Sequence, residues 1–374
     1  MPESLSRWAA QPEPGTSNAC PAPRAAVDLA RSARKQSAAG FVNAVLRHTL
    51  RQRNHLPFPP RPDDPSDHDA VVRYLGITHS HPDWYVERLL ARHGFESAER
   101  WVRFNNETPR LTLRANRLRT TRDRLQAALE SEGIESARTT YGPDGLVITR
   151  GNPLRLPADG SFAVQDEASQ LVPLAVGATA GETVLDLCAS PGGKTTGMAA
   201  AMGNSGRIIA CDVRARRVRL LRETVRASGA AIVRIVHLDA EGLLPFEAVF
   251  DRILVDAPCS GLGTVRRDPD IRWRRNPDDL PALAVRQNAL LERAARVLKP
   301  GGRLVYATCS SEPEENEEVV RAFLERHTEF GLVDLRTDGA PELAAVSDEA
   351  GALRTLPFAH GLEAFYAAAM RKDR

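Results

Sequence analysis

The chain has 374 residues, of which 42% are apolar and 26% charged, and its formal net charge is +2. Such a length suits a catalytic domain with smaller modules rather than one small binding unit, and no apolar run approaches the ~18 residues of a membrane-spanning helix. The first twenty residues lack the basic start and apolar stretch of a secretory signal, so the expectation is a cytoplasmic monomer with no membrane partner. The five cysteines, at 20, 188, 211, 259 and 309, form no C-x-x-C pair and no zinc-like cluster, which points to free thiols and no metal.

In chain order, residues 1–24 are Pro-, Ser- and Gly-rich without periodicity and read as a disordered tail. Residues 25–66 hold two amphipathic helices, the second with Val42, Leu46 and Leu50 on one stripe, and end in "LPFPPRPDDP", five prolines in ten residues, read as a linker. Residues 67–160 read as a helical stretch anchored by Trp84, Leu89 and Trp101, then a small α+β module. That module has strands at 110–116 and 145–151, and between them a helix started by Thr120 and Asp123 in T-x-x-D spacing. From 161 to 374, strands at 183–188, 207–212, 231–239, 250–258 and 302–309 alternate with helices, the pattern of an α/β, doubly wound parallel sheet whose ligands bind beyond the carboxyl ends of the strands.

Charge is unevenly spread. Trp101 to Arg124 contains seven arginines against two acids, and 264–275 five against two. Either patch suits a polyanion, with a solvated surface as the plain alternative. Arg110, Arg114, Arg117, Arg266, Arg267 and Arg272 are therefore the candidate side chains for a polyanion such as a nucleic-acid backbone.

"LDLCASPGGKTT" (185–196) is a strand, a glycine turn and a helix start. A phosphate loop needs glycine where Cys188 stands, and the G-x-G-x-x-G spacing also fails. Asp212 lies 19 residues after Gly193 at a strand end, close to the distance expected of a carboxylate that holds ribose hydroxyls. Asp239 ends the next strand; each aspartate alone reads equally well as a helix cap. Together they suit a nucleoside cofactor that needs no phosphate cradle, S-adenosylmethionine. Asp256 and Cys259 follow the fourth strand and Cys309 the fifth, so two cysteines 50 residues apart face one cleft if those strands are neighbours. A thiolate beside a methyl donor suits methylation of a pyrimidine at carbon 5: addition at carbon 6 makes carbon 5 nucleophilic, and a protonated Asp256 at ring N3 would stabilise the adduct. Either cysteine suits the attack. Ser311 and Glu314 have capping-box spacing, so the five glutamates of "SSEPEENEEVV" read as a capped, solvated helix start. A helix N-terminus would lower the Cys309 pKa and nearby carboxylates would raise it.

"FAVQDEASQLV", "LDLCASPGGKTT", "VDAPCSGLGTVRRDPDIRWRR" and "YATCSSEPEENEEVV" resemble the Nop/Sun family of RNA cytosine-5 methyltransferases, and most of all its bacterial Sun/Fmu ribosomal-RNA branch. The resemblance covers the chain from about Leu111, and "AAVDLARSARKQSAAGFVNAVLRH" is similar to the end of that branch's NusB-like helical domain. It implies a Rossmann-like methyltransferase domain and methylation of small-subunit (16S) ribosomal RNA. It further implies Cys309 as nucleophile, Cys259 as the residue that aids product release, and a cofactor loop of Cys188, Ala189, Ser190, Pro191, Gly192, Gly193 and Lys194. Asp212 would lie at the ribose, Asp239 near the adenine and Asp256 at the junction of cofactor and substrate, with Lys194 orienting the loop and reaching the reacting centre. The chain departs from the family in a shortened NusB-like region and in Glu363-Ala364, where Asp-Gly is usual. The rivals are methylation of another nucleic acid, such as tRNA or DNA, and a ribosome-assembly RNA-binding protein without turnover.

Overall fold

A computed structural model describes residues 22–52 and 55–373. The tail expected at 1–24 lies outside them up to residue 21, while Ala22 to Arg24 already belong to the first helix. The chain divides into two compact units, Met1–Ser80 and His81–Arg374.

In the first unit, helices α1 (Ala22–Ser32) and α2 (Gln36–Arg51) follow one another. Val42, Leu46 and Leu50 are half-buried, whereas Phe41 and Val45 are exposed, so the predicted stripe is the inward one. The proline-rich segment has no regular structure apart from a short turn. Helix α3 (His68–Arg73), capped by the Asp67 carboxylate, which accepts from Ala70 N, runs into a wider turn at Tyr74–Thr78.

The second unit opens with α4 (Asp83–Asn106), which bends at Gly94, where φ is 71°. Leu89 and Trp101 are buried as expected, but Trp84 is only half-buried and Tyr85 takes the interior position. Strands β1 (Thr112–Ala115), β2 (Glu135–Arg138), β3 (Gly145–Arg150) and β4 (Phe162–Val164) form an antiparallel sheet in the order β2-β3-β1-β4. Helix α5 (Arg122–Ser131) packs Leu125 and Leu129 against Leu113 and Leu146 of this sheet. Its N-cap is Thr121, whose hydroxyl accepts from Arg124 N, rather than Thr120; the extended backbone at Thr121 is what aims the oxygen at the first turn.

Helix α6 (Glu167–Val176) leads into the large sheet. Its strands are β5 (Thr183–Leu187), β6 (Arg207–Asp212), β7 (Val233–His237), β8 (Phe250–Asp256), β9 (Leu298–Thr308), β10 (Phe330–Val333), β11 (Leu353–Arg354) and β12 (Tyr366–Lys372). The order is β10-β12-β9-β8-β5-β6-β7, with β11 beside β12. Strands β5 to β9 pair in parallel, and β12 runs antiparallel between β9 and β10. Alternate residues go to opposite faces: Val305 and Ala307 of β9 join one core layer, Leu304 and Tyr306 the other. Helices α7 (Gly193–Ala201), α8 (Ala215–Ser228), α9 (Asp279–Val297) and α10 (Glu317–Arg326) complete the unit. After β5 the chain builds outward through β6 and β7, then returns to place β8 and β9 on the other side. The carboxyl ends of β5 and β8 therefore flank a switch point, where an open α/β sheet leaves a crevice.

Candidate functional site

Over β5 and β6 the crevice is shaped by backbone. Cys188 leaves β5 with φ of 63°, and Gly192 takes φ of 104° just before α7. A side chain at Gly192 would meet Leu221 at 2.8 Å, so the turn needs glycine for both reasons. Ala189 N donates to Cys211 O at 2.8 Å and Ser190 N to Asp212 Oδ2 at 3.3 Å, which ties the loop to the end of β6. Asp212 is buried and also accepts from Arg214 N, whereas Asp239 is exposed and accepts from Glu241 N. Beneath the loop lies a residue that the sequence reading missed. Asp186 is fully buried; its Oδ2 accepts from Thr195 Oγ1 at 2.6 Å and its Oδ1 has no partner. Burial pushes its carboxyl up to about 7. The signal was a charged residue inside the apolar strand "TVLDLC". Burial likewise pushes the Cys188 and Cys211 thiols up to about 12, so neither is a thiolate at neutral pH.

Over β8 and β9 the crevice is shaped by side chains. The two strands pair with Asp256 opposite Ala307, which carries Cys259 and Cys309 out at matching heights. Their sulfurs are 3.3 Å apart and both residues are half-buried. The two thiols share a hydrogen bond in which either sulfur can donate, and this bond, with the nearby Lys194 ammonium, holds Cys309 below the ordinary thiol value against burial and the carboxylates of Asp256 and Glu315. The same bond and burial push Cys259 far upward. Lys194, on the first turn of α7, donates to Asp256 Oδ2 at 2.7 Å. Burial alone would lower the lysine, but the Asp256 carboxylate raises it. Asp256, expected from sequence to serve ring N3, thus has one oxygen engaged by the Lys194 ammonium.

The acidic stretch after Cys309 departs furthest from expectation. Glu312 and Glu315 are fully buried, not solvated. Glu315 Oε1 accepts from Ser260 N at 2.8 Å and Gln287 Nε2 at 2.9 Å, and its Oε2 accepts from the hydroxyls of Ser260 and Ser310, each at 2.5 Å. Glu312 pairs with Arg88 and, at 2.9 Å, with Arg92, both from α4. No capping box forms: Ser311 Oγ donates to Glu312 Oε1, and α10 starts only at Glu317 after Asn316, which makes no side-chain cap. Glu315 thereby binds the segment after β8 to the segment after β9 and fixes the two thiols relative to each other. The carbonyl of Cys309 accepts from Gly263 N at 3.0 Å, and Gly263 O accepts from Ala364 N at 2.9 Å. A Cβ on Gly263 would lie 1.9 Å from Ala364 O, so this close passage admits only glycine. Phe365 faces Lys194, 5.6 Å from ring centre to Nζ.

Four candidate RNA-binding arginines are occupied inside the chain. Arg114 donates to Gly193 O at 2.5 Å and to Thr196 Oγ1 at 2.8 Å. Arg266 pairs with Glu363 at 2.8 Å and lies over the Phe104 ring, and Arg267 pairs with Asp166 at 2.6 Å. Arg272 is buried and donates to Asn106 Oδ1 at 2.9 Å. These guanidiniums cross-link segments distant in sequence, each held by a polar acceptor of another element. Arg110 and Arg117 are exposed, with Arg117 3.7 Å from Asp144. Glu363, fully buried and pushed up to about 7 by burial and by Asp166, retains one oxygen without a partner.

Residues 174–371 match the family model described as 16S rRNA methyltransferase RsmB/F, and residues 81–155 match the ferredoxin-like domain of RsmF/B-like methyltransferases. The chain is 36% identical over 351 residues to the probable ribosomal RNA small subunit methyltransferase B of Bacillus subtilis, covering 93% of this chain and 77% of that protein. It is 37% identical over 325 residues to ribosomal RNA small subunit methyltransferase B of Pseudomonas putida, covering 83% and 70%. Among solved structures, a methyltransferase homologue from Pyrococcus horikoshii is 31% identical with a TM-score of 0.69, covering 83% of this chain and 99% of that one.

Proposed function

The chain belongs to the RsmB/F family of 16S rRNA methyltransferases, and from that membership we propose that it methylates carbon 5 of a cytosine in small-subunit ribosomal RNA through a covalent bond to Cys309. The observation that carries the proposal is the contact of the two sulfurs beside the Lys194–Asp256 pair at the carboxyl edge of the sheet. S-adenosylmethionine suits the crevice over β5 and β6: the Cys188 to Lys194 turn brings backbone close, Asp212 ends β6 for the ribose, Asp239 follows two residues beyond β7 rather than ending it, and buried Asp186 keeps an unpaired acceptor beneath. Bound there, it would supply an electrophilic methyl group.

The target base leaves its stack to enter the cleft. Cys309 Sγ adds to carbon 6, and the electron pair of the C5–C6 double bond then takes the methyl at carbon 5. Transfer of the carbon-5 proton to solvent water then restores the double bond as the C6–S bond breaks and the Cys309 thiolate leaves. Lys194 donates to N3 or O2 of the ring, and Asp256 accepts from the 4-amino group. Cys259 stabilises the thiolate before attack through its hydrogen bond and aids its departure afterwards.

Incubation with small-subunit ribosomal RNA and methyl-labelled S-adenosylmethionine, followed by nucleoside mass analysis, tests the proposal. The expected product is 5-methylcytidine; its absence from every RNA tried would refute the reading.

A further inference from the structure

We propose that the exposed arginine face of α8 is a track for the phosphate backbone of the RNA substrate. The inference rests on the reading of that substrate as RNA and assigns it a surface outside the reacting cleft. Helix α8 turns Val218, Leu221 and Ser228 inward. On its outer side stand Arg216, Arg219, Arg222 and Arg226, spaced by three, three and four residues, so they share one flank of the helix. All four are exposed, and among the described residues none makes an ion pair or a side-chain hydrogen bond. Glu223 is the sole acid of the helix. Some exposed arginines elsewhere are paired, Arg138 with Asp123, Arg150 with Glu135, Arg274 with Asp268 and Arg336 with Asp334; others, such as Arg124, Arg207 and Arg321, are exposed without an ion pair but do not stand four in a row on one helix.

Like charges at helical spacings of three and four repel, so a row of unpaired guanidiniums is best explained by an anion that occupies it. The row also lies where a substrate strand would pass. At the N-terminal end of α8, Arg217 Nη2 donates to Ser190 O at 2.7 Å, and Ser190 Oγ donates to Arg217 O, which places the first turn against the cofactor loop. At the other end, Asn116 Nδ2 donates to Ser228 O at 2.8 Å, and exposed Arg119 lies against Gly229. From Arg216 to Arg226 the row spans about 15 Å, from the neighbourhood of the crevice to the small antiparallel module. A guanidinium fork matches two phosphate oxygens at once, so the partner that fits is a phosphodiester strand.

The test uses the full chain with Arg216→Gln, Arg219→Gln, Arg222→Gln and Arg226→Gln combined. Retention of small-subunit ribosomal RNA is measured between about 50 and 200 mM salt. Loss of four phosphate contacts should reduce the slope of log affinity against log salt by about 3. The corresponding four-lysine variant should keep most of the slope, and Arg138→Gln with Arg150→Gln should leave it unchanged. Calorimetric S-adenosylmethionine binding should be unaltered by the glutamine variant, which reports an intact fold. A wild-type slope in that variant would overturn the assignment, as would loss of binding to anionic phospholipid vesicles with RNA binding kept. Wild-type chain that neither binds nor methylates RNA would instead remove the substrate reading itself, and the assignment with it.

Discussion

Over β5 and β6 the carboxyl edge of the sheet is finished by continuous chain, while over β8 and β9 it is finished by side chains from distant segments. On the first side, turns at Cys188 and Gly192 and backbone bonds from Ala189 and Ser190 make the crevice. On the second, Glu315, Gln287, Arg88, Arg92 and Lys194 arrive from different elements to fix two sulfurs. The difference teaches that a binding turn tolerates change in its surroundings better than a pair of reacting groups, whose separation depends on every buried charge around them.

The largest effect expected on the second side is all-or-none. Cys309→Ala should form no covalent RNA complex and no product, and Cys259→Ala should accumulate the complex, read on a denaturing gel; the opposite pattern would exchange the roles of the two thiols. Next, Glu315→Ala removes a buried acceptor shared by four donors and should cost about 3 kcal/mol in urea unfolding. Asp212→Ala should change unfolding by under about 1 kcal/mol yet weaken S-adenosylmethionine binding. If Glu315→Ala instead spared stability and lost cofactor affinity, the contrast between the two sides would collapse.

Asp186 sharpens the comparison from below. Its carboxyl is raised by burial to about 7, so folding favours the neutral form. The contribution is full below the ordinary carboxyl range and is lost as pH rises through about 7. Unfolding at pH 5 and pH 8 should differ by on the order of 2 kcal/mol from this group, and Asp186→Asn should abolish that difference. The smallest effect concerns the thiol bond: in Cys259→Ala the pH midpoint for alkylation of Cys309 should move upward, because the donor that lowers it is gone. An unmoved midpoint would assign the lowering to Lys194.

The legibility of the two sides in sequence follows the same division. The strands predicted at 183–188, 207–212 and 250–258 correspond to β5, β6 and β8 within two residues, because each is one apolar run bounded by turn residues. The neighbouring placement of β8 and β9 was only a condition of the sequence reading, because alternation of strands and helices does not fix strand order; their parallel pairing meets it. Strands β2 and β4 were not seen: β2 is four residues and mostly exposed, and β4 is three residues, too short to show alternation. Arginine-rich windows misled because a count of charges carries no information about partners. Arg266 and Arg267 face Glu363, nearly a hundred residues away, whereas Arg216, Arg219, Arg222 and Arg226 of α8 pair with no acid among the described residues. The burial of Glu312 and Glu315 was hidden for the same reason, since their donors come from α4, α9 and the segment after β8.

The passage of Gly263 between Cys309 and Ala364 has a consequence in the order of synthesis. When a ribosome has released the chain through α10, both thiols, Lys194, Asp256 and Glu315 have all been made. The wall behind Gly263 has not, and neither has β12, the strand that β9 needs as its outer neighbour. The reacting centre is therefore finished by residues translated after every group named in the chemistry. On the proposed chemistry, a nascent chain holds its reactants before it holds the frame that aligns them, and competence waits for β12.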